Sequence, residues 1–460
     1  MDARKWRTGS KLAHIMTQTA LFLSLAQFLT SLGFMLAFLA LELGLAWVLL
    51  YFRLRARAGG ASWMLAYRFW VRVYALSLIL GFAAAIPVLL QLGTLWPDFM
   101  ARAGEVVGPL VAAAVLTAFV FKSCFLGAML YGQRRLSDAA HTFMVLMVAV
   151  GAGLTAYWIM ALVAWTQMPI GASLVDGRYQ VRSWLPILGG RLAPTLFGLL
   201  AAGGLMVAAA LMLAVTAVRT RTRPSDEGDR SVYATGLWLL LACILAQAVL
   251  VSNLGRVLLP AQPARAAAVV PQWHSTAPAD LTVAAWPDAD EQANDWALES
   301  PFEAPDWLAR DPAGAVRGLD HFSGMTPPVL ITYWSLRLAL FAGALLALLA
   351  LLAWWRGRRL GYEPDGLRPW GRGALRLSTA LACAIQVAGL VHLFVGAVPY
   401  AIHGTVTLRE IAATPGLGAH AAVSAAYVLV YAALLLGFYQ LLRHITRYGV
   451  VPVARRRGRA

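Results

Sequence analysis

Nine runs of about twenty or more predominantly apolar residues divide this 460-residue chain. Each is long enough to cross the hydrocarbon core of a bilayer as a helix. They fall at roughly 24–52, 71–96, 107–131, 141–166, 194–218, 232–252, 329–355, 375–398 and 421–442. In lipid the backbone finds no water to bond, so segments this apolar must satisfy their own N–H and C=O groups as helices. The expected fold class is therefore an all-α integral membrane protein, a bundle of nine transmembrane helices. Composition supports this: 60% of residues are hydrophobic and 13% charged, against roughly half and about a quarter in a soluble domain. A cytosolic enzyme, a disordered chain and a disulfide scaffold are excluded.

The net charge of +16 does not point to nucleic acid, because the arginines cluster in the turns between apolar runs, where they orient helices. With the C-terminus inside, one side collects 23 of the 38 basic residues, from Arg53, Arg55 and Arg57 through Arg134 and Arg135 to the tail Arg455, Arg456, Arg457 and Arg459. The opposite loops after the first span hold nine. Arg4, Lys5, Arg7 and Lys11 disagree, but the majority sets the N-terminus outside and the C-terminus in the cytoplasm. The start of the chain lacks the short apolar core and small-residue cleavage site of a removed signal peptide. Cys124, Cys243 and Cys383 all lie within apolar runs and are expected to be small core residues, with no metal or disulfide spacing. The domain division expected is a six-helix region (1–252), an extracytoplasmic loop (253–328) and a three-helix region with a basic tail (329–460). That loop carries ten of the 22 acidic residues, from Asp280 to Asp320, and loops of this length usually bind or cover something.

Three local strings carry a family likeness. Span two closes in Ala-Ile-Pro-Val-Leu-Leu-Gln-Leu-Gly-Thr-Leu-Trp (85–96), span four in Trp165-Thr166-Gln167-Met168-Pro169-Ile170-Gly171, and the long loop opens with Gln262-Pro263-Ala264-Arg265-Ala266-Ala267-Ala268. In sequence and order these resemble subunit I of cytochrome bd-type quinol oxidases, whose corresponding strings are GIPxxFQFGTNW, WMQxPxG and QPxKxAAxE. Arg337 after Pro327-Pro328, and Pro399-Tyr400-Ala401-Ile402 after span eight, extend the likeness over nearly the whole chain. The resemblance implies a multi-pass protein of the bacterial cytoplasmic membrane, a related second membrane subunit, haem b and haem d, quinol oxidation at the long loop and reduction of oxygen.

The side chains that such chemistry requires are largely replaced. Iron needs axial ligands, usually His, Met or a carboxylate. The first-span ligand place holds Leu23 or Ser24, the fifth-span one Pro194, its Met partner Ala339, and the acid after span eight Gly404. Two span-three acids of the family correspond to Ala114 and Lys122; the loop Lys is Arg265 and its acidic partner Val270. Without an acid at 270 the loop lacks a general base for quinol oxidation, so binding without turnover is expected at Gln262 and Arg265. No catalytic residue and no metal site is assigned, and the haem set is expected to be missing.

Lys122 sits mid-span, where a charge in lipid must be paired or hydrated; Glu42, near the end of span one, is a candidate partner, and a Lys snorkelling to the interface is the alternative. Arg337 is a counter-charge for a propionate or lipid head group, or one half of an interhelical salt bridge. His392 and His403 are the alternative haem ligands, against ordinary hydrogen bonding between helices. His141 is expected to cap or pack. Gly151, Gly153, Gly198, Gly203 and Gly204 permit close helix approach. Three functions follow in order: a haem-depleted accessory subunit of a respiratory, quinone-linked complex, with lipid and possible quinone contacts; an active oxidase subunit with altered ligation; and an ion- or proton-conducting protein built around Lys122.

Overall fold

The structure is a computed structural model. It describes residues 3–275, 280–303, 308, 315–413 and 417–448, with side chains from Gln18 onward except at 134, 280 and 301–303. The side chains of Arg4, Lys5, Arg7, Lys11, Arg134 and Asp280, and all of the tail arginines Arg455, Arg456, Arg457 and Arg459, lie outside what is described.

The long helices are α1 (Ala3–Arg57), α2 (Ala61–Thr94), α3 (Pro97–Tyr131) and α4 (Asp138–Gln167), then, after the strands β1 (Ala172–Val175) and β2 (Arg178–Val181) and the short α5 (Trp184–Gly189), α6 (Leu192–Arg219) and α7 (Glu227–Leu258). The long connection contains α8 (Pro263–Val269), β3 (Asp280–Asp288) and β4 (Ala293–Glu303). Next come α9 (Val329–Arg359), α10 (Pro369–Val395), β5 (Tyr400–Ile402), β6 (Val406–Thr407), α11 (Leu408–Ile411) and α12 (Leu417–Tyr448). Among the described residues nine helices are long and apolar enough to cross a membrane. The strands form three antiparallel hairpins.

All three hairpins, α5, α8 and α11 gather at one end of the bundle, the loop end; the short turns after α1, α3, α6 and α9 form the arginine-rich end. At the latter, Arg53 is buried and donates to Asp138 (Nη2 to Oδ1, 3.1 Å). His141 bonds the Met129 carbonyl at 3.1 Å, the packing role its position suggests. α1 runs through the middle of the molecule: its Leu36, Leu45, Leu49 and Phe52 are fully buried. A Cβ at Gly204 of α6 would lie 1.9 Å from the Ala40 carbonyl of α1, so this crossing requires glycine.

Two expectations are corrected. Cys243 is buried, but Cys124 and Cys383 are exposed on the helix surface. A membrane protein has apolar surroundings outside as well as inside, so an apolar run does not tell core from lipid-facing surface. Glu42 is also deeper than the 24–52 span implies. α1 continues to Arg57, fifteen residues or about 22 Å beyond Glu42.

Candidate functional site

The middle of the first four helices holds one charged pair. Lys122 Nζ on α3 lies 2.9 Å from Glu42 Oε1 and 3.0 Å from Oε2 on α1. The Tyr74 hydroxyl of α2 donates to Oε1 at 3.4 Å. The Lys122 ammonium sits 4.4 Å from the centre of the Phe82 ring. Lys122 is 8% and Glu42 1% exposed, so neither side chain snorkels to a polar interface. The structure thus brings together the two residues that the sequence put forward as partners. Two donors on the carboxylate and an aromatic face against the ammonium offset part of the cost of taking both charges out of water.

Between this pair and the loop end lies a cavity of about 460 Å³ among α1, α2, α3 and α4, closed at the loop end by Phe394, Tyr400 and Leu408. Phe82 joins its wall to the ion pair, and Ala114 occupies the wall where an acid is expected from the resemblance. No His, Cys, Asp or Glu is among the described residues that line it; Met35 offers a thioether and Trp96 a buried indole N–H without a partner.

The loop end holds a second polar constellation. Gln262, at the start of α8, donates from Nε2 to the Gln167 carbonyl (2.9 Å) and Oε1 (3.3 Å) at the end of α4. Arg265 donates from Nε to the Gly396 carbonyl and from Nη2 to that of Leu393, both at 2.8 Å. These are C-terminal carbonyls of α10, where the helix dipole is negative and a guanidinium is favoured. Burial pushes the Arg265 guanidinium down to about 9, which leaves it charged at neutral pH. Its Nη1 is buried without a partner. Arg337 of α9 donates from Nη1 to the Val269 carbonyl (2.5 Å) and from Nη2 to that of Thr282 (2.8 Å), with the Tyr333 ring 3.9 Å from its guanidinium carbon. Among the described residues neither arginine has a carboxylate partner, so the interhelical salt bridge considered for Arg337 is replaced by backbone acceptors. The His403 backbone N–H donates to the Thr166 carbonyl at 2.9 Å, and its imidazole bonds the Ala261 backbone. Burial, with the nearby charge of Arg265, holds its imidazole below the usual histidine range.

The comparisons with known proteins agree with this architecture. The family model described as cytochrome bd terminal oxidase subunit I matches residues 23–450. The chain belongs to the cytochrome bd terminal oxidase subunit I family. It is 29% identical over 238 residues to cytochrome bd-II ubiquinol oxidase subunit 1 of Escherichia coli K12, a match covering 51% of this chain and 46% of that relative. The chain thus spans about half the length of that curated relative. Against cytochrome bd ubiquinol oxidase subunit 1 of Bacillus subtilis 168 the identity is 23% over 362 residues, 75% of each chain. In fold it is similar to the bd oxidase of Geobacillus thermodenitrificans, with a TM-score of 0.83 and 22% identity over 93% of this chain and 98% of that one. It is accordingly a multi-pass protein of the bacterial cytoplasmic membrane.

The family implies haem, and the resemblance sets four of its ligand places on this chain. Leu23 is half-buried on α1, Pro194 exposed in the first turn of α6, Ala339 half-buried on α9, and Gly404 exposed in the β5–β6 turn with φ 75°. None can donate a pair of electrons to iron. His392 is buried, but its Nδ1 is 3.1 Å from the Thr332 carbonyl, which ties α10 to α9. His403 packs edge-on against Tyr400, ring centres 5.0 Å apart. Sequence reasoning missed His420 of α12, whose Nε2 lies 3.0 Å from Ser24 Oγ. The signal was a polar residue inside the last span facing a polar first-span position, but no sequence pattern pairs residues so far apart.

Proposed function

We propose that this chain is a haem-depleted member of its family that serves as a structural, accessory subunit of a respiratory, quinone-linked membrane complex. The observation that carries this reading is the mainly apolar cavity among α1–α4, whose described lining offers no His, Cys, Asp or Glu, together with Leu23, Pro194, Ala339 and Gly404 at the expected ligand places. The same scaffold is kept: the ion pair, the Gln262–Gln167 contact and the two buried arginines tie its helices together. A second membrane subunit related to subunit II is the partner, the N-terminus faces outward, and residues 1–252, 253–328 and 329–460 act as bundle, outer loop and second bundle. Quinone contact is confined to hydrogen bonding at Gln262 and Arg265; Val270 supplies no base.

The test is purification of the tagged chain with its natural membrane partners in mild detergent, followed by mass determination and a quinol-driven oxygen electrode assay. The expected outcome is a stable complex with a second membrane subunit and no oxygen consumption assignable to this chain. Turnover lost on His392→Ala or His403→Ala would support altered ligation instead. Ion flux in liposomes that disappears on Lys122→Ala would favour conduction.

A further inference from the structure

The β3–β4 hairpin presents an apolar face that the bundle does not cover. Ala284 pairs across the hairpin with Leu298, and Ala285 with Ala297. Successive side chains alternate between faces. Ala285 is fully buried, so β3 turns that face inward and Trp286 outward; on β4, Trp296 and Leu298 flank Ala297 and all three are exposed. Trp286, Trp296 and Leu298 are 46%, 50% and 60% exposed. A contiguous exposed patch with two indoles marks an interaction surface.

Three observations say what covers it. First, the patch continues the lipid-facing surface of α9: the Trp286 ring lies 6.4 Å from that of Trp334. Trp334 is five residues into that helix, about 7.5 Å along its axis, among the exposed Leu330, Ile331 and Leu338. This is the depth of an aromatic belt. Second, the hairpin is held in place. Arg337 grips the Thr282 carbonyl, Trp273 Nε1 donates to Asn294 Oδ1 at 3.0 Å, and Asn294 Nδ2 donates to the Pro271 carbonyl at 3.3 Å. Third, its charge is of one sign. Asp288, Asp290 and Glu291 lie at the turn, Asp295 and Glu299 flank Trp296 and Leu298 on β4, and no Lys or Arg occurs between Arg265 and Arg310.

We infer that the outward face of the β3–β4 hairpin, carrying Trp286, Trp296 and Leu298, docks on the zwitterionic phospholipid surface at the loop end. The hairpin is an interfacial anchor whose indoles and Leu298 enter the headgroup–acyl boundary while the acidic turn stays in water. The absence of cations on the segment means that anionic lipid repels it.

The experiment uses the full chain in phosphatidylcholine nanodiscs, with Cys124, Cys243 and Cys383 replaced by alanine. An environment-sensitive fluorophore is attached at Leu298→Cys, with Asp290→Cys as the turn control. The expected result is blue-shifted emission at position 298, protection from iodide and quenching by a nitroxide near the lipid headgroup. Position 290 remains open to iodide. Added phosphatidylglycerol weakens the quenching at 298. Equal iodide access at both positions overturns the inference. So does protection at 298 that is unchanged in amphipol without a bilayer, since protein then covers the face. Should the alanine background fail to fold, quenching of intrinsic fluorescence by brominated phosphatidylcholine replaces it. The wild type then loses more emission than Trp286→Phe/Trp296→Phe, and equal losses reject the anchor.

Discussion

Lys122 and Arg265 are both buried cations in the same molecule, compensated in different ways. Lys122 has a dedicated side-chain partner: both oxygens of Glu42 lie within 3.0 Å, and both residues belong to long helices in the middle of the bundle. Arg265 has none among the described residues and spends its donors on the carbonyls of Leu393 and Gly396 at the end of α10. The first arrangement depends on two particular side chains. The second depends on where a helix stops, and Gly396 is part of it, because a Cβ there would come within 2.8 Å of Arg265 Nε.

The comparison breaks most visibly at Lys122. Removing one member of a buried ion pair leaves a bare charge and costs about 3–5 kcal/mol. Lys122→Ala and Glu42→Ala are each expected to lower the thermal unfolding midpoint sharply in detergent. The double variant Glu42→Gln/Lys122→Met restores most of the loss. A double variant as unstable as the sum of the singles would show that the two residues act independently.

Arg265→Ala gives the next largest effect. It deletes two charge-assisted hydrogen bonds and uncaps α10, for about 2–3 kcal/mol. Arg265→Lys recovers only part, since an ammonium lacks the fork that reaches both carbonyls. No neutral variant at a second position can rescue Arg265→Ala, because its acceptors are backbone. A side-chain change that did so would erase the distinction from Lys122.

The smallest effect concerns pH. The folded His403 binds its proton less readily than the unfolded chain, whose value lies near 6.5, because of burial and the Arg265 charge. As pH falls through that value the unfolded state takes up the proton first, so stability falls with acidity and is fully present above it. Unfolding midpoints measured from neutral to mildly acidic pH are expected to drop less in His403→Gln than in the wild type. An equal drop would place the titrating group elsewhere.

The same contrast explains what was legible in the sequence. Apolar run length located the nine helices, because lipid leaves the backbone no alternative. The pairing of Glu42 with Lys122 was open to inspection, because charges inside spans are few and each needs a partner. Carbonyl acceptors carry no residue-type signature, so the roles of Arg265 and Arg337 could not be read. The exposure of Cys124 and Cys383 was hidden for another reason: lipid and core select the same side chains. The hairpin register that gathers Trp286, Trp296 and Leu298 depends on β-bulges, which shift faces without a clear sequence mark.

The central claim is that a bd oxidase subunit I scaffold persists here without the groups that hold its haems. The most direct measurement is a pyridine haemochrome assay on the purified chain, expressed with haem in excess and normalised to protein. The account predicts no haem above the level of a control membrane protein prepared alongside. A whole-number ratio of haem to chain, reduced by substitution at His392, His403 or His420, would contradict it.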